Sequence, residues 1–105
     1  MQEQALLALE KLLNGPRDNA LLRFSLGNAY LEKGNVARAV DYFLAALAKD
    51  PHYSAAWKLL GKAHSAAGNP SGSLAAYEQG IAVAQARGDV QAAKEMSVFL
   101  RRLKP

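Results

Sequence analysis

The chain contains no cysteine and only two histidines among its 105 residues. The lack of cysteine excludes disulfides, thiolate metal sites and thiol nucleophiles. His52 and His64 are too few soft ligands for a structural zinc site. We therefore expect the protein to hold neither a metal ion nor another cofactor.

Long hydrophobic runs are lacking as well. No stretch approaches the ~20 consecutive apolar residues that a membrane span requires. No basic residue precedes Lys11, and no apolar run there is long enough for the core of a secretory signal. These absences predict a cytoplasmic protein that makes no membrane contact.

Motifs for catalysis are also missing. The phosphate-loop spacing GxxxxGK[ST] occurs nowhere, and no serine lies in a G-x-S-x-G elbow. Five carboxylates fall near a lysine or arginine on predicted helices and are interpreted as surface charges: Glu10, Glu32, Asp41, Glu78 and Glu95. We predict no enzymatic activity and no small-molecule substrate.

The charge that is present lies unevenly along the chain. Residues 1–50 carry six Lys/Arg and six Asp/Glu, whereas residues 51–105 carry seven Lys/Arg and three Asp/Glu, so the second half holds the whole net charge of +4. Between Asp50 and Glu78 there is no acidic residue. A one-sided basic surface indicates an acidic partner, or serves only solubility.

Glycine and proline divide the chain into pieces of helical length. Within them, apolar residues recur every three or four positions, and no segment alternates with the period of a strand. Asn69 is expected to cap a helix whose first residue is Pro70. The prediction is an all-α protein with helices near 2–13, 19–33, 36–49, 54–67, 70–87 and 89–103.

An internal repeat relates two parts of the chain. With a shift of 34, residues 20–53 lie over residues 54–87. The matches include Leu26-Gly27 with Leu60-Gly61, Ala29 with Ala63, and Gly34-Asn35 with Gly68-Asn69. They fall at helix contacts and turns, where a stacked repeat needs small or apolar side chains.

A 34-residue helix–turn–helix unit with these residues resembles the tetratricopeptide repeat. The first copy has Leu26-Gly27-x-x-Tyr30, Ala39-x-x-x-Phe43, Ala46 and Pro51, and the second has Trp57-x-x-Leu60-Gly61, Ser73-x-x-x-Tyr77 and Gly80. Arg23 and His64 stand where the family usually has Trp and Tyr. Trp57 and His64 are expected to pack inside the structure, and His52 to lie exposed in a turn.

The flanks resemble half repeats. In residues 2–13, Ala5, Leu9 and Leu12 are in phase with Ala39, Phe43 and Ala46. The last helix fits a shift of 36, which places Met96-Ser97 over Leu60-Gly61. The resemblance therefore implies one domain over residues 1–105, a right-handed solenoid of two full repeats with a half repeat at each end.

The resemblance implies that the protein binds a peptide or helix of another protein in a concave groove. The groove positions are Phe24, Asn28, Leu31, Lys58, Lys62, Ser65, Lys94, Val98 and Arg101. Four of these are cations at one end, and Phe24 and Leu31 are apolar at the other. The pattern suggests a partner with an acidic or carboxylate-bearing segment. The alternative interpretation of the same side chains is a solvated helix face.

Two other modes of association stay open. The basic second half could bind RNA or another nucleic acid weakly, although two repeats provide only a short track. The leucine-rich first helix could also mediate self-association, which gives a monomer or a weak homodimer. We rank both behind the protein-binding groove.

Overall fold

A computed structural model describes residues 2–104 and contains six α-helices. They are α1 (Glu3–Glu10), α2 (Ala20–Glu32), α3 (Val36–Lys49), α4 (Ser54–Ala66), α5 (Pro70–Arg87) and α6 (Val90–Leu103). The described residues include no strand, so the all-α prediction is confirmed.

Short polar turns end one helix and begin the next. Gly34 and Gly68 have φ angles of +82° and +73°, in the left-handed region that favours glycine. Asn35 and Asn69 follow them and cap α3 and α5, each accepting a backbone N–H three residues further on. The predicted cap at Asn69 and the first helical position of Pro70 are confirmed.

Helix α1 ends three residues earlier than predicted. After Glu10 the backbone turns more tightly, with N–H donors bonding to carbonyls three residues back, as from Leu12 to Leu9 at 3.0 Å. Asn14 then adopts φ +66°, and its N–H donates to the Asp18 carboxylate at 2.8 Å. The left-handed turn at Asn14 therefore ends the tighter segment that follows α1.

The most extensive helix contacts join α2 with α3 and α4 with α5. In each pair, a glycine of the first helix faces an aromatic ring of the second. A Cβ atom added to Gly27 would lie 2.7 Å from the ring of Phe43, and one added to Gly61 would overlap the ring of Tyr77. Glycine therefore allows a buried aromatic ring to sit directly on the facing helix, as the repeat pattern predicts.

Helix α6 packs on α5 in the register that the 36-residue shift predicts. Met96 takes the place of Leu60, is fully buried, and lies against Gly80. The next residue, Ser97, is only half-buried and occupies the position of Gly27 and Gly61. Among the described residues, no further helix covers Ser97, so the last repeat of the described solenoid contributes one helix.

Candidate partner-binding surface

The first helices of successive repeats, α2, α4 and α6, form the layer that was predicted to line a groove. At its α2 end the side chains pack on one another. Phe24 stacks on Tyr53 with ring centroids 4.8 Å apart, and Leu31 is half-buried against the core. Asn28 lies beside them, with its side-chain nitrogen 3.4 Å from the Glu32 carboxylate. This end is therefore apolar and largely filled.

Two lysines of α4 extend across to α6. The ammonium nitrogen of Lys58 lies 3.2 Å from the Glu95 carboxylate. That of Lys62 lies 5.1 Å from the centroid of the Phe99 ring, a distance at which a cation is attracted by the ring face. Both cations thus lie over the boundary between α4 and α6, and the charge of Lys58 is largely compensated by Glu95.

Ser65 is directed toward α5. Its hydroxyl oxygen lies 2.8 Å from that of Ser73, and the Ser73 hydroxyl also donates to the carbonyl of Gly61 at 2.8 Å. The hydroxyl of Ser65 is therefore engaged in the contact between the two helices of its own repeat. Arg101 occupies the corresponding position in α6 by the 36-residue shift.

Lys94 and Arg101 lie beside an open cleft of about 710 Å³ along α6. The cleft is lined by Gln85, Gly88, Val90, Ala93, Lys94, Ser97, Val98, Leu100 and Arg101. Both cations are exposed, and neither makes an ion pair within residues 2–104. The four predicted groove cations are thus divided between the α4–α6 boundary and this cleft.

A polar cluster at the other end of the molecule surrounds Glu10, which was predicted to be a surface charge. That prediction was wrong, because only 17% of its side chain is exposed. Its carboxylate accepts hydrogen bonds from the hydroxyls of Tyr30 at 2.9 Å and Tyr42 at 2.6 Å, and Arg38 lies 3.2 Å away. A tyrosine hydroxyl that is buried away from water needs a hydrogen-bond acceptor. The two tyrosines were therefore the signal in the sequence for a partly buried acceptor such as Glu10.

These contacts fix the charge states of the cluster. The hydrogen bond from Tyr42 is the main cause that lowers the pKa of Glu10, with Tyr30 and Arg38 adding to it against the effect of burial. Burial, followed by the bond to Glu10, raises the pKa of Tyr42 to about 12. Near neutral pH the carboxylate is ionised and both phenols are neutral. The cluster therefore attaches α1 to α2 and α3.

The two departures from the family pattern have local explanations. Arg23 stands in place of Trp and donates from Nε and Nη2 to both oxygens of Asp18, at 2.9 and 2.6 Å. His64 is half-buried, with Nδ1 3.4 Å from the side-chain nitrogen of Asn69. Trp57 packs against the core and donates to the Pro51 carbonyl at 2.9 Å. Trp57 and His64 thus make structural contacts, but both are half-buried and not enclosed in the core as expected.

Residues 2–104 contain no group of three His, Asp or Glu side chains that could hold a metal ion. None of the described helices is both long enough and apolar enough to cross a membrane.

Comparison with known proteins agrees with this fold. A family model for the tetratricopeptide repeat matches residues 3–54 and 24–90. A Pseudomonas aeruginosa protein, TPR repeat-containing protein PA0015, is 55% identical over 95 residues, which is 90% of each chain. This chain belongs to the tetratricopeptide repeat family.

Solved structures show the same similarity. The solution structure of protein BPP2914 from Bordetella parapertussis has 48% sequence identity and a TM-score of 0.84, covering 98% of this chain and 89% of that one. A tetratricopeptide repeat domain protein from Salinibacter ruber has 25% identity and a TM-score of 0.77, covering 87% and 91%. Proteins of this family are generally non-catalytic scaffolds, and the family assignment supports a protein–protein interaction module.

Proposed function

We propose that the protein binds an acidic or carboxylate-bearing segment of another protein across the α4–α6 end of the layer of first helices. The observation that carries this proposal is the placement of Lys58 and Lys62, which both reach from α4 toward α6. Lys94 follows on α6, and α4 has no acidic residue. An approaching carboxylate therefore meets an excess of positive charge.

The lysines contribute unequally. Lys58 already neutralises Glu95, so Lys62 and Lys94 supply most of the uncompensated charge. Exposed ion pairs contribute only about 0.2–1 kcal/mol each, so they guide and orient the partner more than they hold it. The partly exposed rings and leucines toward α2, including Phe24 and Leu31, offer the apolar surface on which affinity would depend.

A capture experiment tests the proposal with the double variant Lys62→Glu and Lys94→Glu. Lys58 is left unchanged because a carboxylate there would face Glu95 and disturb the fold. The matched control is Lys11→Glu with Arg17→Glu, which changes the net charge equally at exposed N-terminal positions. Each form is immobilised and exposed to lysate of the source cell, with and without nuclease.

The expected result is a protein retained by the wild type and by the control but lost from the Lys62/Lys94 variant, whether or not nuclease is added. Capture that disappears on nuclease treatment would instead support nucleic-acid binding through the basic half. Equal capture of every protein by all three forms would contradict the proposal.

A further inference from the structure

Helices α1 and α6 are incomplete halves of the repeat. In α3, Ala39, Phe43 and Ala46 are all fully buried, with Phe43 lying on Gly27 of α2. In α1 and the turn that follows it, the corresponding residues lack such a partner helix: Ala5 is exposed, and Leu9 and Leu12 are only half-buried against the core. The face that α3 buries against its own first helix is therefore partly open in α1.

Helix α6 has the opposite deficiency. Its stripe Val90, Ala93, Ser97 and Arg101 corresponds by the 36-residue shift to the face of α4 that packs on α5. That correspondence rests on observed contacts, because Gly61 meets Tyr77 and Ser65 meets Ser73. On α6 the same stripe lines the open cleft of about 710 Å³. Within residues 2–104, no second helix of a repeat packs on this stripe of α6, and no first helix of a repeat packs on Ala5 of α1.

We propose that helix α1 of a second copy of this chain docks on α6 and completes the third repeat, so that molecules associate head to tail. The contact continues the packing of α3 on α2 and of α5 on α4 across the boundary between molecules. It joins two different surfaces, so each copy can bind one neighbour at each end.

The side chains that would meet are complementary in size. Within the second repeat a large residue faces a glycine in both directions: Tyr77 lies on Gly61, and Trp57 lies beside Gly80. The same register places Leu9 of one copy on Ser97 of the next. A leucine on a serine fills the space that an aromatic ring and a glycine fill elsewhere.

The charges of the two helices are complementary as well. Helix α1 carries no cation and two carboxylates. Glu10 is already held by its hydrogen bonds to α2 and α3. Glu3 therefore supplies the available charge: its side chain is 76% exposed, with the ammonium of Lys33 3.8 Å away. Helix α6 carries Lys94, Arg101 and Arg102, and its one carboxylate is paired with Lys58. The antiparallel packing of paired helices brings the first turn of α1, with the exposed Glu3, beside the last turn of α6. There Arg101 and Arg102 are both exposed.

In this arrangement the leucines of α1 have different roles: Leu9 lies at the contact and Leu7 does not. Leu7 is 52% exposed, but it lies about 160° around the helix from Leu9 and away from the docking face.

Because α1 has only eight helical residues, the interface is small and the association is expected to be weak. It should appear as mass that increases with concentration, without a fixed end point.

Two variants block one end each. Ala5→Lys places a cation opposite Arg101 of the neighbour, and Ala5 is exposed in the single molecule, so the fold is retained. Ser97→Trp fills the α6 cleft from its own chain. Ala48→Lys, at an exposed position of α3, is the control for the added charge. Circular dichroism checks that all three keep the wild-type helicity.

Sedimentation equilibrium from ~10 µM to ~1 mM protein measures the association. We expect the wild type and Ala48→Lys to exceed the monomer mass at the upper end, and each blocked variant to associate about tenfold more weakly. An equimolar mixture of Ala5→Lys and Ser97→Trp should form dimers that do not grow, because one free end remains on each variant.

Three results would overturn the proposal: a wild type that stays monomeric throughout, a Ser97→Trp variant that associates like the wild type, or a mixture that stays monomeric. A monomeric wild type would mean that a different partner occupies the α6 cleft. A Ser97→Trp variant that associates like the wild type would mean that two copies pair symmetrically without using the cleft. Lys94 lines the same cleft, but the two proposals have different readouts, because self-association is measured on the pure protein with no other partner present.

Discussion

The two full repeats share a backbone pattern but use equivalent positions differently. The contrasting pairs are Arg23 and Trp57, Phe24 and Lys58, and Tyr30 and His64. In the first repeat, these residues close the surface by contacts with the flanking segments, as in the bonds of Arg23 to Asp18 and of Tyr30 to Glu10. In the second, Lys58 and its neighbour Lys62 extend toward α6 and bring positive charge to the surface.

This difference indicates how one repeat can provide a scaffold and the next a contact surface. Buried glycine–aromatic contacts are common to both repeats, so the paired helices have the same frame. The residues around that frame are free to differ. At the N-terminal end they anchor α1, whereas at the C-terminal end they leave a basic face and an uncovered helix.

The largest expected effect on stability is the loss of an aromatic ring between two paired helices, compared with the loss of one on α6. Phe43 is fully buried between paired helices, so Phe43→Ala should lower the free energy of unfolding by about 3–5 kcal/mol. Phe99 is half-buried on α6, so Phe99→Ala should cost about half as much. Urea denaturation measures both values. Equal losses would show that α6 packs as firmly as the complete repeats.

A smaller effect is expected from the carboxylate that anchors α1. Glu10→Gln should lower the free energy of unfolding by about 1–2 kcal/mol at pH 7, because the hydrogen bonds of Tyr30 and Tyr42 lose their charged acceptor. The native pKa of Glu10 is lowered from its ordinary value of 4.5. Its contribution is therefore present above that pH and lost as pH falls through the lowered pKa.

Denaturation of both forms between pH 3 and pH 7 tests this prediction. The stability difference between the wild type and Glu10→Gln should shrink as the solution is acidified below about pH 4.5. A difference that stays constant over that range would show that the ionised carboxylate does not account for the effect.

The smallest effect is expected at the boundary between α4 and α6. The ion pair of Lys58 and Glu95 is partly exposed, at 24% and 38% of the two side chains. Lys58→Ala should therefore change the free energy of unfolding by less than about 1 kcal/mol, and the change should shrink in high salt. A loss of several kcal/mol that is insensitive to salt would indicate a structural role for this lysine.

The turns, the helix caps and the contacts between paired helices could be predicted from the sequence, because they depend on local rules. Gly34 and Gly68 mark left-handed turns, Asn69 caps the next helix, and Gly27 and Gly61 match aromatic residues in the facing helices. The shift of 36 also placed Met96 correctly in the core, since burial requires an apolar residue at that position. These features are set by neighbours within about one repeat.

The contacts of polar side chains were harder to predict from the sequence. Glu10 is brought to Tyr42 across 32 residues of sequence, and helical periodicity alone does not show which acceptor a buried hydroxyl will find. In the same way, spacing placed Ser65 among the groove residues, whereas its hydroxyl lies against Ser73. The end of α1 was missed because the backbone changes after Glu10 to tighter hydrogen bonding, and no proline or glycine marks that position.

We infer that the acidic segment of the partner binds at the α4–α6 end of the layer of first helices, and not at the N-terminal surface that carries Lys11 and Arg17. The most direct measurement compares partner capture by the Lys62/Lys94 charge-reversal variant and by the Lys11/Arg17 control, in the presence of nuclease. We expect the first variant to lose the partner and the second to keep it. Loss of the partner from the Lys11/Arg17 form, with retention by the Lys62/Lys94 form, would contradict it.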